Sequence, residues 1–379
     1  MSQLSSIIAS LQTALSSLEK DEELVKALIT EGNQHKQSSW AGHMTPAVES
    51  PALLGQLVAG LHNGNLLSAD LYPQLTQIES QLIDWLCQTF KQQYGHFTHG
   101  SSYANLEALW QAREHSKNIS NIVYASTAVH YSIAKACQIL GLKLQTIETN
   151  EQGQIQLDAL RKACQKTKPI AIIATAGTTS CGAIDPLSEC IDIAHEVNSW
   201  CHIDAAWGGA LALLDEHSDL FSIDADSLCF DPHKSLGQPK PCSILLYQRP
   251  LAPFLDIETD YLTTAPTQTL VGSHGGELFL PLWYSLLLDK EGLINQLRQR
   301  LAQAEQFAAL LQEKTKWTVW HSVTGIVCFK VPNEIDLLPL EKQGWLSHAK
   351  INGEKVYRTI FANSNTKTED IWTEITPYL

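Results

Sequence analysis

Long apolar runs are missing from this sequence: no stretch approaches the roughly 20 residues that a membrane-spanning helix needs. Positive charge is scarce as well, with 26 Lys and Arg against 40 Asp and Glu and a net charge of −14. So acidic a surface repels phosphate backbones and anionic lipid, which excludes nucleic acid and membranes as expected partners. The first basic residue is Lys20, so no cationic stretch precedes an apolar one near the start, and the expected location is cytoplasmic. Paired cysteine spacing is also absent. Nine cysteines, Cys87, Cys137, Cys164, Cys181, Cys190, Cys201, Cys229, Cys242 and Cys328, are scattered, which points to reduced thiols. Cys190, His195, Cys201 and His202 lack the short two-ligand spacing of a zinc site, so no metal is expected.

What is present is core material: 44% of the 379 residues are hydrophobic and 17% charged, which excludes a disordered chain, a disulfide miniprotein and a fibre. Within an N-terminal segment, residues 1–75, Leu4, Ile7, Ile8, Leu11, Leu15 and Leu18 recur at helical spacing and predict one amphipathic helix. From residue 76 helical and short apolar stretches alternate. Helices are expected over 78–90, 130–140, 158–163 and 187–198, and strands over 122–124, 144–147, 170–174 and 201–204. Continuous β-branched strands between crossover helices predict an α/β fold with a buried, mainly parallel central sheet over residues 76–290. Residues 291–379 read as a smaller C-terminal α+β unit, with a helix over 293–313, strands near 317–320, 325–331 and 355–362, and a last helix over 367–378.

In an open parallel sheet, ligands bind beyond the carboxyl ends of the strands. Those ends are rich in polar groups here: Ser126, Thr127 and His130; Thr175, Gly177, Thr178 and Thr179; Asp204 and Gly208-Gly209; Asp231, His233 and Lys234. A lysine buried after a strand loses solvation, which lowers its pKa and equips it to form a Schiff base. Asp204, flanked by Ile203 and Ala205-Ala206, needs a cationic partner. A protonated pyridine nitrogen is such a partner, so Lys234 and Asp204 together suggest pyridoxal 5'-phosphate. The turn Thr98-His-Gly-Ser-Ser-Tyr-Ala-Asn105, opening a helix, supplies an anion cradle at Gly100, Ser101 and Ser102.

These residues sit in motifs that resemble the group II amino acid decarboxylases that depend on pyridoxal phosphate. The resemblance runs through Gly42-His43-Met44, residues 76–79, 99–105, 130–132, 177–185, His202-Ile-Asp-Ala-Ala-Trp-Gly-Gly209, 226–234, Gly272-Ser-His-Gly275 and Tyr357-Arg358. It implies an aspartate aminotransferase-like (type I) fold, a homodimer with active sites at the interface, and decarboxylation of an L-amino acid to its amine and carbon dioxide. It further implies Lys234 as the Schiff-base lysine, Asp204 as the partner of the pyridine nitrogen, and His130 as the imidazole stacked on the ring, these three being the catalytic set. Ser101, Ser102, Asp231 and His233 are implied as phosphate contacts, and Thr179 and Ala206 as ring contacts. Ser273 and His274 are expected to reach the neighbouring subunit's phosphate, and Arg358 and His43 to face the substrate.

Plainer roles compete with some of these. His130 at a helix start is also a capping residue, Arg358 on a strand is also a candidate surface ion pair, and Trp207 is also packing for the Gly-Gly turn. The chain departs from the family at Ser235, where Trp is common after the lysine, and at His274, where relatives carry Arg. The segment 260–272 is short for the family and has Tyr261 as its one tyrosine, which leaves His130 and Tyr261 as candidate proton donors. The Gly-His-Met segment is similar to decarboxylases of acidic amino acids or diaminobutyrate. Two other readings share the lysine and aspartate: a carbon–carbon lyase of the sphingosine phosphate lyase or aldolase kind, which would release an aldehyde, and a cofactor-binding homologue without turnover.

Overall fold

The structure of the chain, a computed structural model, describes residues 5–6, 9–10, 12–13, 22–116, 120–251 and 269–379. The helix expected over residues 4–18 falls largely outside these, and Tyr261 wholly so. Among the described residues no helix is long and apolar enough to cross a membrane.

A seven-stranded sheet forms the body. Its strands are β1 (Tyr94–Thr98), β2 (Ile122–Ser126), β3 (Lys143–Ile147), β4 (Ala171–Thr175), β5 (Trp200–Asp204), β6 (Ser227–Phe230) and β7 (Ser243–Tyr247), in the order β1-β7-β6-β5-β4-β2-β3. The pairs β2–β3, β2–β4, β4–β5 and β5–β6 are parallel, and β7 alone runs against its neighbours β6 and β1. The mainly parallel sheet read from the sequence is therefore present. Alternation along a strand sends successive side chains to opposite faces. Ala171 and Ile173 of β4 pack with Leu109, Ala112 and Ile133 from helices Ser101–His115 and Tyr131–Leu140. Ile172 and Ala174 pack on the other face with Leu160 and Ile191 from helices Leu157–Lys166 and Leu187–Glu196. Both faces are covered, which is why the strand reads as a continuous apolar run.

A second sheet, fully antiparallel in the order β10-β11-β9-β8, comprises β8 (Thr318–Ser322), β9 (Ile326–Lys330), β10 (Ser347–Ile351) and β11 (Glu354–Ile360). Helix Leu280–Lys314 leads into it, starting earlier than the periodicity suggested and kinking at Asp289, whose φ of −157° is non-helical. Phe307 and Leu311 of this helix pack against Phe329 and Tyr357 of the sheet. Trp207 donates its indole N–H to the Thr324 carbonyl at 3.0 Å, tying the loop after β5 to the second sheet. That loop lies close to the one after β4: a Cβ on Gly208 would come within 2.4 Å of the Ala176 carbonyl oxygen, so glycine is required there.

Asp185 secures the end of β4 from behind. It is 2% exposed, and its carboxyl oxygens accept from Ile155 N–H at 2.7 Å and Thr175 N–H at 2.8 Å. Burial pushes this carboxyl up to about 6, against the two N–H groups that pull it down. Asp185→Ala would strand both donors, so denaturant titration of the apoprotein is expected to show a loss on the order of 3 kcal/mol. A loss below about 1 kcal/mol would show that water satisfies them instead.

Candidate active site

A cavity of about 450 Å³ opens at the carboxyl ends of the parallel strands. It is lined by Gly100, Ser101, Ser102, His130, Thr179, Asp204, Ala206, Asp231, His233 and Lys234, so the structure brings these ten expected residues to one place. A second cavity of about 680 Å³ adjoins it, sharing His130, Tyr131 and Thr179, and carries Arg358 on its wall.

Local folding places each group. β5 ends in Asp204, which is 4% exposed; its Oδ2 accepts from Asn105 Nδ2 at 3.0 Å and its Oδ1 from Ala206 N–H at 3.2 Å. β6 leads through Asp231 into the short helical turn Pro232–Ser235, which points Lys234 into the cavity with its side chain 23% exposed. Burial pulls the Lys234 amine down, as the sequence suggested. Asp231 Oδ2 at 3.1 Å, and then Asp204, pull back harder, so its pKa stands above the ordinary lysine value. β1 leads to Gly100, whose φ of +111° and open surroundings suit glycine, and helix Ser101–His115 starts there.

His130 follows β2 and takes the capping role read from the sequence. It caps helix Tyr131–Leu140, with Nδ1 accepting from Ser132 N–H at 3.3 Å, and it lines both cavities. Burial lowers its pKa more than the nearby Asp204 raises it, so the ring is neutral at pH 7. Asp231 accepts from Ser101 N–H at 3.1 Å as well as pairing with Lys234. An anion so engaged suits a partner of the lysine better than the phosphate contact expected of it.

Three expected residues stand elsewhere in the chain. Ser273 Oγ accepts from Asn65 Nδ2 at 3.2 Å, and His274 Nε2 lies 3.4 Å from Glu79; neither lines the cavity. Burial lowers the His274 pKa, but Glu79 raises it further, so this histidine holds charge more firmly than an ordinary one. His43 is exposed, its ring 5.6 Å from that of Trp40, and lines neither cavity. Arg358 donates to the Thr179 carbonyl and, at 3.0 Å, to Ser347 Oγ, and among the described residues it forms no ion pair. Sequence reasoning missed Asn105, Thr175 and Lys240. Asn105 closes the quoted turn and Thr175 ends β4, so both were in view, whereas nothing in the sequence placed Lys240 on the cavity wall.

The cavity fits pyridoxal 5'-phosphate. Gly100 leaves an open cradle, and Ser102 N–H, in a first helical turn, has no acceptor within its helix. Thr175 Oγ1 is buried against the same cavity without a hydrogen-bond partner. An amine at Lys234, just past the end of β6, and a carboxylate at Asp204, the end of neighbouring β5, face this space.

Comparison with known proteins agrees. Residues 9–332 match the family model described as the pyridoxal-dependent decarboxylase conserved domain. Aromatic-L-amino-acid decarboxylase of Bacillus atrophaeus is 32% identical over 289 residues, covering 68% of this chain and 60% of that protein. Aspartate 1-decarboxylase of Aliivibrio fischeri is 27% identical over 350 residues, covering 78% and 64%. The chain thus spans less than two thirds of the length of either relative. The solved structure of Oryza sativa TDC with PLP and tryptamine superposes with a TM-score of 0.80 at 21% identity, covering 88% of this chain and 81% of that one, and shares the fold. That fold is the aspartate aminotransferase-like one expected from the motifs. With fifteen of the eighteen residues lining its cavity inside the motifs that first suggested it, the chain belongs to the pyridoxal-dependent decarboxylase family, whose cofactor is pyridoxal 5'-phosphate.

Proposed function

We propose that the protein decarboxylates an L-amino acid to its amine and carbon dioxide, and that its substrate is a dicarboxylic amino acid. The observation that carries the reaction is the meeting of Lys234, Asp204 and the Gly100 cradle on one cavity. When bound, pyridoxal 5'-phosphate supplies an electron sink for the bond to the α-carboxylate. Lys234 would hold the cofactor covalently, and Asp204 would keep the proton on its pyridine nitrogen. The hydroxyls of Ser101 and Ser102 and the ring of His233 would hold the phosphate, while neutral His130 flanks the ring. Ser273 and His274 would complete the site of a second copy in a homodimer.

Charge at the mouth supports the substrate class. Lys240, Lys350 and Arg358 line the two cavities, whereas among the described residues the one carboxylate there besides Asp204 and Asp231 is Glu148. Lys240 Nζ donates to Thr45 Oγ1 at 2.9 Å and Arg358 to Ser347 and Thr179; among the described residues neither has a carboxylate partner. On a chain of net charge −14, cations gathered at one opening attract and orient an anion. Two such cations fit two carboxylates, and they disfavour a cationic side chain such as that of diaminobutyrate.

Carbon dioxide release by the purified, cofactor-loaded protein across the common amino acids, with diaminobutyrate and cysteine sulfinate, tests this. Dicarboxylic substrates are expected to turn over fastest. Lys240→Met should raise their KM about tenfold, ~1.4 kcal/mol, and leave neutral amino acids unaffected. Fastest turnover of an aromatic or cationic amino acid would refute the substrate class. Aldehyde release in place of carbon dioxide would refute the reaction.

A further inference from the structure

Behind the cavity a buried polar run joins Asp204 to His130, and its protons fit only one order. Asn105, on helix Ser101–His115, is fully buried. Its Nδ2 lies 3.0 Å from Asp204 Oδ2 and 2.9 Å from Ser132 Oγ, and its Oδ1 lies 2.9 Å from His202 Nε2. A carboxylate has no proton to donate, so the amide must turn its NH₂ toward Asp204; the flipped amide would set oxygen against oxygen. Both amide protons are then used; Oδ1 accepts weakly from Cys229 Sγ at 3.4 Å, and its 2.9 Å approach to His202 Nε2 requires a proton on that nitrogen, since two lone pairs would otherwise face each other.

His202 is buried completely, and burial pushes its pKa down to about 4 against the pull of Asp204, so the ring is neutral at pH 7. Its Nδ1 must accept, and it takes the hydroxyl proton of Ser227 at 2.8 Å. Ser227 Oγ accepts in turn from Trp200 Nε1 at 2.8 Å. On the other branch, His130 Nδ1 accepts from Ser132 N–H at 3.3 Å and so carries no proton, and Ser132 Oγ, which accepts from Asn105, gives its own proton to that nitrogen at 2.8 Å. The single ring proton of neutral His130 therefore sits on Nε2.

We propose that Asn105 is the positioning residue of this site: a directed relay from Trp200 through Ser227 and His202 branches at Asn105, orienting the Asp204 carboxylate and fixing His130 as its Nε2–H tautomer. The proposal rests on the cofactor reading of Lys234, Asp204 and His130. Its chemical consequence is that the free ring nitrogen of His130 is a donor. A neutral ring so fixed can hydrogen-bond a carboxylate but cannot take a proton from the substrate α-carbon, which protects decarboxylation from competing α-proton removal.

Nitrogen-15 NMR of the histidine-labelled apoprotein at pH 7 reads the relay without turnover, with His130→Gln and His202→Gln assigning the two rings. Both rings are expected as Nε2–H tautomers; either one found charged or as Nδ1–H overturns the proposal. Asn105→Ala removes the acceptor of His202 Nε2, so that ring is expected to shift toward Nδ1–H, while the dissociation constant for pyridoxal 5'-phosphate rises about tenfold. Asn105→Asp, equal in size, keeps an acceptor for His202 Nε2 but loses the donor to Asp204, so if the alanine variant does not fold this one is expected to weaken cofactor binding by at least as much while the His202 ring stays Nε2–H. Unchanged cofactor affinity together with an unchanged His202 ring in the folded variant overturns the proposal. A wild-type protein that binds no pyridoxal 5'-phosphate overturns the functional reading instead, and the apoprotein NMR still decides the relay.

Discussion

Lys234→Ala is expected to give a folded protein that turns over no amino acid at a measurable rate. The wild-type protein with cofactor should be yellow, and borohydride should fix the cofactor to the peptide containing Lys234. In the variant both the visible band and the fixed adduct should vanish. The expected size follows from what is removed: a nucleophile whose loss costs on the order of 10⁴-fold in turnover, about 5.5 kcal/mol of barrier at 1.36 kcal/mol per decade. Folding should survive, because among the described residues Lys234 makes one close ion pair, to Asp231, and Asp231 keeps the Ser101 N–H at 3.1 Å. Asp231 left without its lysine remains buried, however, so a fall in stability of about 1–3 kcal/mol is expected alongside. If the variant still forms a borohydride-fixed adduct to its own chain, another lysine carries the cofactor. Lys240, on the same cavity wall, is the one to examine.

Much of this site was legible because the chemistry sits where chain direction puts it. β4, β5 and β6 are short apolar runs that end at Thr175, Asp204 and Phe230, so the groups following them could be read off without coordinates. β7 was harder: Ile244, Leu245 and Leu246 form an apolar run, but it reverses direction against β6, and no crossover helix announces it. β1 contains Gly95 and His96 and has little strand character of its own; its pairing with β7 is tertiary. β10 is a half-exposed edge strand whose polar residues conceal its alternation. At the site, the lysine's raised pKa was not legible because burial is a property of one residue, whereas the ion pair depends on Asp231 turning back within 3.1 Å. Asn105 was quoted as the end of a phosphate turn, and only the packing of its helix against β5 and β6 shows it holding a carboxylate. Lys240 reaches the wall because the chain after Lys234 folds back past Thr45, a contact across 195 positions of sequence.

Asp204→Asn keeps size and shape and removes charge, and it is expected to lower kcat about 10²- to 10³-fold, or ~3–4 kcal/mol, the range found when one preorganised electrostatic contact to a transition state is lost. The carboxylate would hold the proton on the pyridine nitrogen; an amide does not, and without that proton the ring draws electrons weakly. The amide is also a poor fit to its neighbours. Asp204 now accepts from Asn105 on one oxygen and from Ala206 N–H on the other. An asparagine has a single acceptor oxygen, so one of those donors must face an NH₂ group, and cofactor affinity is expected to weaken about tenfold through that clash. The two effects separate experimentally. Saturating cofactor restores the fraction loaded, measured by absorbance, but not the rate per loaded site. If kcat of the fully loaded variant comes within about fivefold of wild type, a change of ~1 kcal/mol, Asp204 serves to bind the cofactor and not to activate it.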